Sequence, residues 1–359
     1  MKILAIETSC DDTCISIVEI KESKTKPSFK ILANIVQSQD IHNQYGGVFP
    51  MMAKREHIKN IGPVYEEAMR KAKYPKIDAI AVTVGPGLEP ALWVGIMFAE
   101  ELSKKLGVPT IPVNHMEGHI FSIFPNKTKS FVLDRKKKIF PLISLLVSGG
   151  HTEIVLVKDF QKYKIIGSTR DDAAGEAFDK VARMLGLPYP GGPEISRLAK
   201  TERECVASGS EIVFPRPMIH SKDYDFSFSG LKTAVLYYIR DLPTQAGHGP
   251  LTEKLKSKIA KEFEDAVIDV LVHKTIKVIK SYKAKTLIVG GGVSANSHLQ
   301  QTLKIKLKEV DKSIKLHFPT KNLSTDNALM IAIAGYFQYK NKKVKRKSSK
   351  LKACGNLAL

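Results

Sequence analysis

One local pattern occurs twice in this chain and constrains its fold more than any other feature. It consists of an apolar strand, a short polar turn and a second apolar strand, and it covers residues 2–19 and again residues 140–157. Each copy is typical of a β-hairpin. Units of apolar strand, glycine-rich turn and helix follow both copies. Two halves on this plan predict an α/β fold with two domains and a ligand bound between them, at glycine-rich strand ends.

The length of 359 residues fits two such domains. We predict a first lobe over residues 1–135, a second lobe over residues 136–337 and a basic tail over residues 338–359. No apolar run approaches the roughly 18–20 residues of a membrane span, and the first residues lack the apolar core of a signal peptide. We therefore expect a cytoplasmic protein without a membrane segment.

The cysteines limit the kinds of metal site that are possible. The chain has Cys10, Cys14, Cys205 and Cys354, and no two of them form a CxxC pair. This number and spacing exclude a disulfide framework and a structural zinc site built from cysteines. Any metal must therefore be held by histidine and carboxylate side chains.

The chain is strongly basic, because 56 lysines and arginines outnumber 36 aspartates and glutamates and give a formal charge of +20. One cluster lies at residues 135–138, and another lies in the tail. The tail cluster consists of Lys340, Lys342, Lys343, Lys345, Arg346, Lys347, Lys350 and Lys352. For the tail alone, solvation and partner binding are equally good interpretations. Because the rest of the chain is basic as well, we expect a polyanionic partner such as a nucleic acid.

His115 and His119 give the most specific chemical signal in the sequence. On a helix, two histidines at this spacing share one face and can bind one metal ion. Glu117 does not match its counterpart in the HExxH motif, so protease chemistry is disfavoured. The alternative is that one histidine caps the helix and the other packs in the core. Asp326 is a candidate third ligand, although the residues alone favour an N-cap region in which Ser324 and Asp326 are the capping residues.

Three turns rich in glycine or hydroxyl groups follow strands, at residues 7–13, 146–152 and 290–296. Such turns can bind phosphate through backbone N–H groups, and the third also leads into a helix N-terminus. For any single turn a purely structural role is the better interpretation. The first two occur at equivalent points of the two halves, which favours a shared ligand. Asp179 lies on a predicted helix and could bind a polar substrate group or be a surface acid.

Taken together, the motifs resemble the tRNA N6-adenosine threonylcarbamoyltransferase family, the TsaD/Kae/Qri proteins. The resemblance spans about residues 2–337. The motifs are ETSCDDT at 7–13, YGGVFP at 45–50, HMEGH at 115–119, LVSGGHTE at 146–153, GEAFDK at 175–180, YPGGP at 189–193, FSFSGLKTAV at 226–235, GGVSAN at 291–296 and TDNALMIA at 325–332. The SGGHT form resembles the bacterial or organellar members, and we expect a bacterial-type TsaD.

This resemblance implies the actin-like ASKHA fold, with two lobes around a nucleotide cleft. It implies transfer of threonylcarbamoyl from threonylcarbamoyl-AMP to N6 of adenosine 37, in tRNAs that read codons starting with A, with release of AMP. By the same resemblance, His115, His119 and Asp326 hold one Fe²⁺ or Zn²⁺ ion per subunit. The residues implied to bind the acyl-adenylate are Leu146, Val147, Ser148, Gly149, Gly150, Asp179, Gly192 and Asn296.

The adenine amine must lose a proton during this transfer, and the sequence does not select the acceptor. Asp11, Asp12 and the leaving phosphate remain alternatives. Bacterial-type members usually require a paralogous ASKHA partner resembling TsaB and an ATPase resembling TsaE, and we expect both partners here in addition to tRNA.

Two other functions are consistent with the pattern of halves: a small-molecule kinase of the ASKHA kind and a nucleotide-binding scaffold. The kinase requires an acid in both hairpin turns, which the second turn lacks, and the scaffold leaves the histidine pair unexplained. The chain also departs from the usual family pattern at Pro90, Met51 and Ser324. None of these departures removes a residue implied to bind metal or nucleotide.

Overall fold

The computed structural model describes residues 1–23, 26–124, 130–132, 140–204, 212–242, 251–341 and 350–359. The first of its two sheets lies mainly in the first third of the chain. Its strands are β1 (Lys2–Glu7), β2 (Asp12–Lys21), β3 (Ser28–Ser38), β4 (Ala79–Gly85), β5 (Thr110–Asn114) and β6 (Ser130–Val132). Their order is β5-β4-β1-β2-β3-β6. Strands β1, β2 and β3 are antiparallel, whereas β1, β4 and β5 are parallel.

The second sheet repeats this plan. Its strands are β7 (Leu142–Val147), β8 (Thr152–Asp159), β9 (Lys162–Ser168), β10 (Thr286–Gly290) and β11 (Lys315–His317). Their order is β11-β10-β7-β8-β9, again with an antiparallel meander followed outward by two parallel strands. The predicted repeat is therefore confirmed, and each predicted hairpin has a third strand, β3 or β9, that the sequence pattern did not indicate.

Helices cover the sheets and connect the parallel strands. They are α1 (Pro50–Lys71), α2 (Glu89–Leu106), α3 (His115–Phe121), α4 (Ala174–Met184), α5 (Gly191–Glu204), α6 (Ser229–Arg240), α7 (Glu253–Tyr282), α8 (Ser297–Val310) and α9 (Ala328–Lys340). Short 3₁₀ helices lie at Asp40–Tyr45, Gly292–Ala295 and Lys321–Leu323. Among the described residues, no helix has both the length and the apolar character needed to cross a bilayer.

Helix α9 comes late in the chain but packs against the first sheet. Its residues from Ala328 to Phe337 are all buried, which is typical of a helix enclosed on every side. Phe29 of β3 and Phe121 of α3 lie in the same apolar cluster as α9. The lobe boundaries at residues 135 and 337 stay predictions. Helix α9 belongs to the second half of the chain but packs in the core of the first sheet.

Two basic features of the sequence lie outside the described residues: the cluster at 135–138 and the tail residues 342–349. The last part of the tail is described and returns to the first sheet, where Leu351 is buried in the cluster beneath α1 and α2. We call residues Leu351 to Leu359 the 351–359 segment.

Candidate metal centre and substrate cleft

Side chains from two distant parts of the chain converge on one buried point. His115 and His119 lie on the same side of α3, and their Nε2 atoms are 3.1 Å apart. Asp326 precedes α9, and its Oδ1 lies 3.4 Å from Nε2 of His115 and 3.3 Å from Nε2 of His119. Two imidazole nitrogens and one carboxylate oxygen are donors that Zn²⁺ and Fe²⁺ accept. The donor set therefore fits one such ion, and these are the three ligands implied by the resemblance.

The helix caps explain why these side chains are available. Helix α3 is capped by Asn114, whose Oδ1 accepts from the backbone N–H groups of Met116 and Glu117. Neither histidine of the pair is the cap. Helix α9 is capped by Asn327, whose Oδ1 accepts from the N–H of Met330 at 3.0 Å. The N-cap interpretation of Asp326 is therefore wrong, because the next residue caps the helix and leaves the Asp326 carboxylate beside the histidines.

Glu7 at the end of β1 is a functional candidate that the sequence pattern did not single out. Its side chain is fully buried. Oε1 accepts from the N–H of Ser9 at 2.6 Å, and Oε2 accepts from the Thr83 hydroxyl at 2.6 Å. Oε2 also lies 2.9 Å from Nδ1 of His115. A proton held on Nδ1 leaves Nε2 free to bind a metal, so Glu7 sets the tautomer that the centre requires. The sequence signals were its position at the end of a largely apolar strand and at the start of the polar turn at residues 7–13.

The ionisable side chains of this cluster shift one another's pKa values. Burial favours the neutral form of His115, but Glu7 and Asp326 outweigh it and hold the pKa of His115 well above its ordinary value. Burial likewise raises the pKa of Asp326, but the two histidines outweigh it and hold that pKa far below the usual range. Burial lowers the pKa of His119. Two carboxylates around two imidazoles form a site whose negative charge a bound cation would balance.

Five of the predicted substrate residues lie at the end of β7 and in the turn that leads to β8. The side chains of Leu146 and Val147 are buried in the core, so only their backbone can reach a ligand. The backbone N–H of Ser148 donates to His151 O at 2.8 Å. Around Gly149 and Gly150 there is open space where side chains would be. This open backbone can approach an anion closely.

Two glycines from other elements let this turn pack tightly. An ideal Cβ on Gly175 of α4 would lie 2.5 Å from Ser148 O, and one on Gly291 would lie 2.4 Å from Val147 O. The N–H of Gly175 donates to Ser148 O at 3.1 Å. The turn is thus held between the start of α4 and the turn after β10, where Asn296 follows.

The other predicted substrate residues lie on α4, at the start of α5 and at the N-cap of α8. Oδ1 of Asp179 accepts from the N–H of Gly191 at 2.8 Å, beside Gly192 at the start of α5. Asp179 is half-buried, and burial raises its pKa, so it is not a freely solvated acid. Asn296 caps α8 by accepting from the N–H of Leu299 at 2.9 Å. Its Nδ2 donates to Oε1 of Glu264 at 2.6 Å.

The metal centre and the substrate turn are neighbours. An ideal Cβ on Gly290, at the end of β10, would lie 3.0 Å from His119 O. Burial, with His115 and His119 nearby, lowers the pKa of His151 in the turn to about 4. Burial also raises the pKa of Asp11 and that of Asp12, the latter to about 7. The nearby carboxylate of Asp326 contributes to both increases. Metal ligands, substrate turn and acidic turn therefore lie near one another.

Comparisons with known proteins agree with the resemblance. The profile of the TsaD family, described as tRNA N6-adenosine threonylcarbamoyltransferase, matches residues 30–333. The protein of that name from Dictyoglomus turgidum is 46% identical over 340 residues, which cover 94% of this chain and 93% of the relative. Its namesake from Persephonella marina is 45% identical over 346 residues, which cover 95% of this chain and 91% of the relative.

Solved structures share the fold at much lower identity. Full-length HypF in its phosphate- and nucleotide-bound form aligns with a TM-score of 0.57 and 14% identity, over 95% of this chain and 46% of that chain. HypF of T. kodakarensis also aligns with a TM-score of 0.57, at 13% identity, over 96% of this chain and 48% of that chain. This chain thus spans about half the length of either HypF chain, and the likeness concerns the fold alone.

Proposed function

Because this chain belongs to the tRNA N6-adenosine threonylcarbamoyltransferase family, we propose that its metal centre and substrate turn together bind threonylcarbamoyl-AMP as the acyl donor. Family membership establishes the reaction class: the protein is an acyltransferase that forms N6-threonylcarbamoyladenosine at position 37 of tRNA. It also establishes the ASKHA-like fold. The proposal concerns the donor, the metal, the residues that bind them and the partners.

The observation that carries the proposal is the convergence of His115, His119 and Asp326 beside the substrate turn. We propose that these side chains hold one Fe²⁺ or Zn²⁺ ion. When bound, such an ion supplies Lewis-acid charge that orients the oxygens of an acyl-adenylate. Glu7 holds His115 in the ligand tautomer, and Asn114 and Asn327 fix the two helices that carry or follow the ligands.

The adenylate part of the donor binds the neighbouring turn between β7 and β8. The exposed backbone at Gly149 and Gly150 presents N–H groups to a phosphate. The carboxylate of Asp179 is fixed by Gly191 and retains acceptor sites for ribose hydroxyls, beside the backbone of Gly192. Asn296 uses its side chain to hold the turn before α8, so it contributes by fixing backbone that faces the cleft.

In the proposed transfer, N6 of adenosine 37 forms a bond to the carbamoyl carbon, and the bond from that carbon to the phosphate oxygen breaks. AMP leaves with the electron pair. The donor is an activated mixed anhydride, so the protein chiefly orients the reactants and stabilises developing charge. The N6 proton passes to Asp11, Asp12 or the leaving phosphate. Asp12 has a pKa of about 7, which lies near the working pH of a general base.

The strongly basic composition supports binding of the tRNA substrate. A base in the anticodon loop is unpaired and can enter the cleft without opening a duplex. We propose that the substrates are tRNAs reading codons that start with A, and that a TsaB-like paralogue and a TsaE-like ATPase assist turnover. A cytoplasmic location, where the tRNA substrate is available, completes the proposal.

The decisive experiment measures transfer of radiolabelled threonine to unmodified tRNA, with the synthase that makes the adenylate and with both partner proteins supplied. We expect incorporation by the wild type and almost none by a His115→Ala, His119→Ala double variant. A His220→Ala, His317→Ala double variant, altered at two histidines outside the centre, serves as the matched control. Failure of the wild type beside a working control enzyme would refute the proposed donor and partners.

Metal analysis of the same proteins tests the centre separately. The wild type and the control variant should contain about one equivalent of Fe²⁺ or Zn²⁺, and the His115→Ala, His119→Ala variant should contain almost none. Equal metal content in all three proteins would overturn the assignment of these ligands, whatever the activity.

A further inference from the structure

The 351–359 segment is joined by backbone hydrogen bonds to the end of β4 and to the turn that follows it. The N–H of Cys354 donates to Val84 O at 2.9 Å, and the N–H of Gly87 donates to Gly355 O at 3.0 Å. A Cβ on Gly85 would lie 2.0 Å from Cys354 O. Gly85 also has a φ of +150°, which disfavours any other residue. The turn is therefore shaped to receive this segment closely.

Further contacts hold the segment along α2. The N–H of Leu351 donates to Oε1 of Glu100 at 3.0 Å, and the N–H of Gly355 donates to Oε1 of Glu89 at 3.1 Å. The Leu351 side chain is only 7% exposed. The segment is thus fixed at several points, although a basic stretch outside the described residues precedes it.

One side chain connects this segment to the metal-binding helix. Nδ2 of Asn114 donates to Leu357 O at 3.3 Å and to Ala358 O at 3.0 Å. Oδ1 of the same amide accepts from the N–H groups of Met116 at 2.8 Å and Glu117 at 3.2 Å. The opposite amide orientation would place two donors against two N–H groups and an acceptor against two carbonyls. The carbonyls of the segment therefore select the orientation in which Asn114 caps α3.

A second chain of contacts leads from the same turn to the same histidine. The N–H of Leu88 donates to Ser9 O at 2.8 Å. A Cβ on Gly87 would lie 2.6 Å from Ser9 O, so the turn and Ser9 are in close contact. Oγ of Ser9 lies 3.1 Å from Nδ1 of His115. The segment thus supports His115 from its backbone, through the cap, and from its ring, through Ser9.

We propose that Asn114 is a positioning residue for the metal centre and that the 351–359 segment acts through it to hold His115 and His119 in ligand geometry. This inference rests on the proposed metal centre and extends it to residues that do not touch the metal. The 351–359 segment thereby has a role in metal binding, although the composition indicated only that it belongs to a basic tail.

The test compares three changes to the link. Asn114→Asp keeps the acceptor that caps α3 but removes both donors to the segment. Deletion of residues 357–359 removes the two acceptors and leaves the cap side chain intact. Asn114→Ala removes both functions. The measurements are the Zn²⁺ dissociation constant, from competition with a chromophoric chelator, and the visible absorption spectrum of the Co²⁺-loaded protein, which reports ligand geometry.

We expect Asn114→Asp and the deletion each to weaken Zn²⁺ binding about two- to tenfold, the effect of losing one or two ordinary hydrogen bonds. Asn114→Ala should weaken it further, and all three should shift the Co²⁺ spectrum. Combining Asn114→Asp with the deletion should cost no more than either change alone, because both remove the same link. A charge effect of the new carboxylate would instead persist in the deletion background.

Two control variants isolate the link from general effects. Thr252→Ala removes the N-cap of α7, where Thr252 Oγ1 accepts from Leu255 N–H at 3.3 Å, away from the centre. Lys352→Ala alters an exposed residue of the same segment. Both should bind Zn²⁺ as the wild type does. Unchanged affinity and spectrum in Asn114→Ala and in the deletion, with a wild type that binds Zn²⁺, would overturn this inference alone. A wild type that binds no metal would instead overturn the proposed centre and this inference with it.

Discussion

Replacing Glu7 with glutamine tests how the centre keeps a metal-binding nitrogen free. Glu7 is fully buried and accepts from three donors, namely Ser9 N–H at 2.6 Å, the Thr83 hydroxyl at 2.6 Å and His115 Nδ1 at 2.9 Å. Glutamine has nearly the same volume but only one acceptor oxygen and one NH₂ group. It therefore cannot accept from all three donors, whichever way its amide turns.

The two amide orientations fail in different ways. With nitrogen in place of Oε1, the NH₂ group faces the N–H of Ser9, which cannot rotate away. With nitrogen in place of Oε2, the Thr83 hydroxyl can turn, but Nδ1 of His115 faces an NH₂ group, which favours the tautomer in which Nδ1 accepts. A neutral imidazole that accepts at Nδ1 carries its proton on Nε2, the atom 3.1 Å from Nε2 of His119. That proton occupies the side of the ring needed for the metal.

Both orientations have a calculable cost. The first leaves a buried donor unpaired, which costs about 1–3 kcal/mol. The second disrupts the partner of a metal-binding histidine, a change that typically weakens metal affinity about 10–100-fold, or about 1.4–2.7 kcal/mol. We therefore expect Glu7→Gln to bind Zn²⁺ about 10–100-fold more weakly than the wild type.

Chelator competition at fixed pH measures this difference, with thermal unfolding of the metal-free proteins as a check on folding. Glu66→Gln is the matched control, since it makes the same change at an exposed position of α1 and should leave the affinity unchanged. Equal Zn²⁺ affinity in the wild type and in a folded Glu7→Gln variant would refute the tautomer argument.

Three further predictions concern the rest of the cleft and the tail. Burial raises the pKa of Asp12 from 3.8 to about 7, so the stability supplied by its neutral form is fully present below about pH 4 and is lost as pH rises through 7. Asp12→Asn should abolish this loss of unfolding free energy, which is on the order of 2 kcal/mol after allowance for partial exposure. If the unfolding free energies of wild type and variant, measured with denaturant, had the same pH dependence, the prediction would be contradicted. Gly175→Ala places a Cβ 2.5 Å from Ser148 O and should weaken AMP binding about tenfold in calorimetry while sparing Zn²⁺ binding; unchanged AMP affinity would show that the turn tolerates displacement. Replacing the five lysines and arginines of residues 342–347 by glutamine should weaken tRNA binding and reduce its salt slope by up to about 4, whereas an unchanged slope would mean that these charges are merely solvated. These replacements leave the 351–359 segment in place.

Local patterns were sufficient to predict the elements that have regular apolar spacing or are bounded by turn-forming residues. The two hairpins and the helix that carries His115 and His119 occur as predicted, within a few residues. Strands β3 and β9 were missed because they lie at the outer side of each meander. Their burial is mixed rather than regular along the strand, so their sequences lack the apolar runs of β1 and β7. Pairing with β2 and β8 decides their structure, and that contact is not visible in a local window.

The metal centre shows the same limit at the scale of single residues. Asp326 and Asn327 are both good capping residues, and helix propensity cannot choose between them. The choice is made by contacts across 211 residues of sequence, because an Asp326 carboxylate turned toward His115 gains two imidazole partners, while Asn327 is left to accept from Met330. At the other helix, Asn114 takes the cap next to His115 in the same way. In both places an asparagine satisfies the helix end and the adjacent residue is released to the centre. When two adjacent residues could each cap a helix and one of them is an asparagine, the asparagine can take the cap. In this chain that leaves His115 and Asp326 available as metal ligands.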